Sequence, residues 1–139
     1  MERYETTVLK IFTRFYKTIR ELETEKKQIA LKSYDTSKWR DGTMGQIFAI
    51  GALNKQIEWY SNYCQSVRLA LSGIDSGYRT LLVAVYVKGA DRKHIAEKHG
   101  VSISTVYCKL ERAKIAFRKS LERLGFTETW FAPYFADIK

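Results

Sequence analysis

The stretch DRKHIAEKHGVSISTVYCKLERAKIAFRKSLER, residues 91–123, constrains the fold most, because one glycine parts two runs of helical period. It reads as two helices joined by a tight turn. Asp91 offers a side-chain acceptor to a free N–H at the start of the first helix, and Ile95 with Ala96 supply its buried side. Gly100 is expected to end that helix in a left-handed conformation, with Val101 following as a buried plug and Ser102 capping the second helix. Ala96 is small where the second helix must cross closely. Val106, Leu110, Ala113, Phe117, Leu121 and Leu124 recur three or four apart, which predicts one apolar stripe along that helix.

Charge points to a partner for this segment. The chain carries 24 Lys or Arg against 15 Asp or Glu, a net +9. Residues 88–123 alone hold ten basic and four acidic side chains, so +6 of that excess lies on the two-helix stretch and the residues just before it. A solvated basic face would explain the charge by itself, but next to a helix-turn-helix it reads as a surface for a polyanion, double-stranded DNA first.

The order Ile95, Ala96, Gly100, Val101, Ser102, Thr105, Val106, Arg112, Ala113 closely resembles the promoter-reading C-terminal region of bacterial sigma factors, I-A-x-x-x-G-[VI]-S-x-x-T-V followed by R-A. With the preceding YRTLLVAVYVKG and a long helical N-terminal part, the layout is similar to the ArpU/RinA group of phage late-gene transcriptional regulators. The likeness covers the last 70 to 75 residues well and the first half only in layout. His94 departs from it where an acidic residue is usual, and His99 where an aliphatic one is usual. The resemblance implies a DNA-binding regulator, an activator of phage or prophage late genes, with RNA polymerase as a second partner.

Turning about 100° per residue from Val106 puts Ser104, Cys108, Glu111 and Ile115 on the face opposite the stripe. Thr105 and Arg112 fall on one flank, Tyr107, Lys114 and Arg118 on the other. Since the N-terminal part of such a helix reaches base edges, base reading is expected from Ser104, Thr105, Tyr107 and Cys108, with Glu111 and Arg112 at the groove margin. Arg92, Lys93, Ser102, Lys109, Lys114 and Arg118 are placed for phosphates.

A single proline in 139 residues leaves long stretches unbroken, which predicts an all-α chain: a long N-terminal helical hairpin, then a C-terminal trihelical helix-turn-helix module. The expected division is residues 1–72 as an oligomerisation or interaction arm, 73–125 as the DNA-binding domain and 126–139 as an aromatic tail. Val8, Phe12, Phe15, Ile19, Leu22 and Ile29 mark a helix over 4–32. Residues 33–46 read as a connection, in which Lys38, Trp39 and Arg40 are further candidates for a nucleic-acid backbone. From 46 to 72, Ile50, Leu53, Ile57, Tyr60, Cys64, Val67 and Leu71 form a second stripe, with Phe48, Trp59 and Tyr63 off it. A second buried face there predicts a homodimer. Tyr78–Val87 reads as an apolar central helix, and the tail aromatics Phe126, Trp130, Phe131, Tyr134 and Phe135 as docked on the protein's own helices.

No apolar run approaches the ~20 residues needed to span a bilayer, so a cytoplasmic protein without membrane contact is expected. Cys64 and Cys108 are read as reduced thiols. His94 and His99 share one short helix with no nucleophile or metal set at a matching spacing, so neither enzymatic activity nor a metal or other cofactor is expected. Two alternatives stand beside the regulator: a DNA-packaging recognition protein of the small-terminase kind, and a protein that binds RNA polymerase or a sigma factor without reading DNA.

Overall fold

The computed structural model describes residues 4–35 and 42–136, and among them the chain is all-α. In order come α1 (Tyr4–Asp35), α2 (Gly42–Ser72), α3 (Ser76–Leu82) running on into a π turn (Val83–Val87), α4 (Arg92–His99), α5 (Ile103–Arg123) and α6 (Glu128–Ala136). No described helix is long and apolar enough to cross a membrane. The connection expected over 33–46 is shorter than the sequence suggested, for α1 runs to Asp35 and α2 begins at Gly42. Polar composition marked those residues as a loop, but helix propagation costs little once a long helix is formed. Lys38, Trp39 and Arg40 lie outside the described residues.

The described chain forms two compact units: one from α1 through Thr13 together with Gln65 onward, the other Arg14–Cys64. In the second, Phe15 of α1 meets α2 edge-on at Tyr60 and Tyr63, with ring centroids 4.7 and 4.8 Å apart, and tilts against Trp59 at 5.8 Å. Tyr63 is 0% exposed and so is a core residue of the single chain; it does not provide the outward second face assigned to it from the sequence. Outward-facing apolar residues on α2 do exist. Phe48 is 70% exposed and Ile47 lies open beside it.

In the first unit the start of α1 is buried nearly all round. Val8, Leu9, Ile11 and Phe12 are core, and Glu5 and Thr6 are buried with them. Both carboxylate oxygens of Glu5 and the Tyr4 hydroxyl are buried without a hydrogen-bond partner, which costs stability. Alongside, α6 buries Phe131 and Tyr134, and the Phe131 ring lies 6.4 Å from that of Tyr4, so the aromatic tail is a docked helix. α5 packs against both α3 and α4. Val106, Leu110, Ala113, Phe117 and Leu121 are buried as the stripe predicts, but Leu124 is 40% exposed. The helix has ended there: Leu124 is the C-cap, and Ser120, a polar residue, is buried beside Leu121 near the end of the helix.

Ser120 is inside because it meets the end of α2. Its hydroxyl donates to the Ala70 carbonyl at 2.7 Å. Arg79 donates through Nε to the Leu71 carbonyl and through Nη2 to that of Ile74, and Arg123 reaches the Gly73 carbonyl. The Ala70 and Leu71 carbonyls accept from the Gly73 and Ile74 N–H groups at 3.2 and 3.3 Å, and the Ser120 hydroxyl and Arg79 guanidinium add side-chain donors at the negative end of the helix dipole. Close approach also accounts for Gly73, where a Cβ would stand 2.8 Å from the Ser120 hydroxyl.

Two stability predictions result. Ser120→Ala should cost about 1 to 2 kcal/mol in urea unfolding, since it removes a buried hydrogen bond and leaves the Ala70 carbonyl with the Gly73 N–H alone, while Ser72→Ala, which removes an exposed hydroxyl bonded to the Leu69 carbonyl, should cost under about 0.5. Equal costs would show that burial of the bond is not what matters. Burial, reinforced by the Glu122 and Glu5 carboxylates, pushes the Tyr4 phenol from 10.0 up to about 12. The fold thus favours the neutral phenol, a contribution present below the unfolded value and lost as pH rises towards the folded one. Tyr4→Phe should raise neutral-pH stability, since it removes a buried hydroxyl without a hydrogen-bond partner, and flatten the fall in stability between pH 10 and 12, as followed by helical circular dichroism.

Candidate nucleic-acid interface

The two helices of the motif are set by their caps. Asp91 stands in extended conformation before α4 and accepts from the Lys93 N–H at 3.3 Å. Gly100 ends α4 at φ +65°, and the Val101 N–H closes back on the Ala96 carbonyl at 3.0 Å. This is the left-handed stop that the sequence called for. Ser102 then caps α5, accepting from the Thr105 N–H at 3.3 Å, with the two hydroxyls 2.9 Å apart. Ile95 and Ala96 give α4 its buried side and Val106 with Leu110 begin that of α5.

With that side buried, Ser104, Cys108, Glu111 and Ile115 are all exposed. Lys109 and Arg112 are exposed beside them, and Tyr107 is 49% exposed. Thr105 is half-buried and its hydroxyl is engaged with Ser102, so these two residues mainly build the cap. His94 and His99 both face solvent, which removes His99 from the core position that its place in the sequence suggested.

The basic residues divide into two groups. Lys114 is only 15% exposed at its side chain and its ammonium lies 2.6 Å from the Glu111 carboxylate. Burial works to lower its pKa, but the hydrogen bond to Glu111, aided by the Tyr86 hydroxyl, outweighs this and holds it above the ordinary lysine value. Arg118 is paired with Glu122 at 3.1 Å. Lys114, Arg118 and Glu111 are therefore engaged along α5. Lys93, Lys109 and Arg112 are exposed and have no ion pair among the described residues.

One contact was not visible in the sequence. The Arg92 guanidinium lies over the Tyr107 ring, 5.4 Å from its centroid, bringing the first turn of α4 against the second turn of α5. Residues in different helices share no periodicity, so spacing gives no signal for the pair. Comparison of the chain with protein-family models, with curated proteins and with solved structures finds no match.

Adding a Cβ at Gly100 would meet nothing within 4 Å, so the site needs glycine for its backbone alone. Gly100→Ala should destabilise by about 1 to 2 kcal/mol in thermal unfolding and Gly100→Asn by clearly less, because asparagine tolerates the left-handed region. A larger loss for Asn than for Ala would mean that space, and not φ, is limiting.

Proposed function

We propose that this chain is a sequence-specific double-stranded DNA-binding regulator of transcription, acting on phage or prophage late genes in the manner that the ArpU/RinA resemblance implies. The observation that carries the reading is the grouping of Lys93, Lys109 and Arg112, exposed and unpaired among the described residues, beside the open N-terminal half of α5. Phosphates would meet cations that need break no existing ion pair, while Ser104, Tyr107 and Cys108 face the bases. Arg112 stands at the margin, and Arg92 is near enough to the same edge to join the phosphate contacts.

Association of two copies fits the same reading. Ile47 and Phe48 on α2 are apolar and exposed, and a symmetric dimer would present two reading helices to two half-sites one helical turn apart. RNA polymerase enters as the partner of an activator so placed, and the cytoplasm as its location.

Selection of bound fragments from random and phage-derived DNA tests this. Expected is one enriched sequence, palindromic where two copies bind. Tyr107→Ala should weaken binding to it by about 1 to 3 kcal/mol and leave random DNA nearly unaffected, whereas Lys93→Ala should weaken both and reduce the salt slope by about one contact. No enriched sequence, or a slope that Lys93→Ala does not change, would remove α5 from the major groove.

A further inference from the structure

We infer that Arg92 is a positioning residue for Tyr107, and that the stacked pair, more than Tyr107 alone, determines which DNA sequence the chain prefers; this rests on the DNA-binding reading above. Arg92 lies over the ring at 5.4 Å and is itself half-buried. Its Nε is buried with no hydrogen-bond partner, and no acidic side chain pairs with it among the described residues. The neighbouring Asp91 carboxylate is directed instead to the Lys93 N–H. Among the described residues, the Tyr107 ring face is the contact that holds this guanidinium.

The position makes sense only for a group that uses its plane. A cation in the first turn of α4 opposes the helix dipole, and Lys93 alone would already supply charge for a phosphate. A guanidinium adds what an ammonium lacks, a flat surface that stacks on an aromatic ring and fixes its tilt. Tyr107 needs that support because it is half in solvent, where an unsupported ring would turn among rotamers and carry its hydroxyl with it. With one ring face covered by Arg92, the hydroxyl and the other face stay directed outward. A donor or acceptor held in one place discriminates between base edges; one that wanders binds all of them alike.

The test uses the full chain with the DNA sequence it selects and with random DNA. Arg92→Lys keeps the charge and loses the plane, so it should lower the ratio of selected-sequence to random-DNA affinity about tenfold. Arg92→Ala combined with Tyr107→Ala should be no less selective than Tyr107→Ala alone, because the two act through one ring. In the free protein, side-chain couplings measured by NMR should show one Tyr107 rotamer in the wild type and averaging in Arg92→Ala. A preference that survives Arg92→Lys, additive losses in the double variant, or an unchanged rotamer would each overturn the pairing, leaving Arg92 a plain phosphate contact. A wild type without any preferred sequence would instead sink the DNA-binding reading, and the role assigned to Arg92 with it.

Discussion

The end of α2 is the constraint on which the C-terminal part of this fold depends. A helix of that length arrives with a row of unsatisfied carbonyls, and the chain then turns through Gly73 and Ile74 into α3 within a few residues. Those carbonyls cannot all be left to water, because Ala70 and Leu71 are buried. The Gly73 and Ile74 N–H groups turn back onto them, Ser120 from α5 and Arg79 from α3 add side-chain donors, and Arg123 from α5 reaches the Gly73 carbonyl just beyond. The same bonds that close α2 thereby fix where α3 starts and how α5 lies against it. A residue with a side chain at 73 or without a donor at 120 would disturb both.

From that anchor the position of the exposed face follows. With Ser120 and Leu121 held inward at one end of α5 and Val106 and Leu110 at the other, the helix cannot rotate, so Ser104, Cys108 and Arg112 are left outward. The Schellman-type stop at Gly100 and the caps at Asp91 and Ser102 fix the approach of α4 to this helix. The π turn at Val83–Val87 ends in the same way, the Ala90 N–H closing on the Ala84 carbonyl with Gly89 at φ +69°. Its Tyr86 lies within reach of Lys114, which ties α5 to the preceding helix by a polar contact as well as an apolar one.

How much of this could be read from the sequence differs by kind of signal. The all-α class was legible because apolar stripes of helical period run through a chain with one proline, and the ends of α4 were legible because caps and left-handed glycines are local chemistry. Features that need a second element were not. Periodicity gave α1 one buried face, so Leu9, Ile11 and Glu5 were missed where its first turns are covered on several sides. The apolar stripe places Leu124 inward and leaves Ser120 out, because the carbonyls of α2 do not appear in the sequence of α5. Tyr63 seemed free for a partner chain for the same reason: the pattern of α2 cannot show that Phe15 comes up against it.

Charge shows the difference between composition and structure most clearly. The +6 of residues 88–123 counts every cation equally, yet the fold commits Arg123 to the end of α2 and gives Lys114 and Arg118 to glutamates on their own helix. Arg92, Lys93, Lys109 and Arg112 are the candidate phosphate or groove contacts that stay outside such pairs among the described residues. Each phosphate neutralised by a protein cation releases somewhat less than one counterion, and a salt-sensitive DNA binder of ordinary strength uses roughly six to ten such contacts. One copy of this face falls short of that range. Two copies on adjacent turns of one duplex would fall within it, and they would do so without adding a charge to the chain. On the DNA-binding reading, then, the small number of cations placed beside the reading face of α5, and not the cations of the segment as a whole, is what favours a dimer, independent of the apolar residues that α2 leaves exposed.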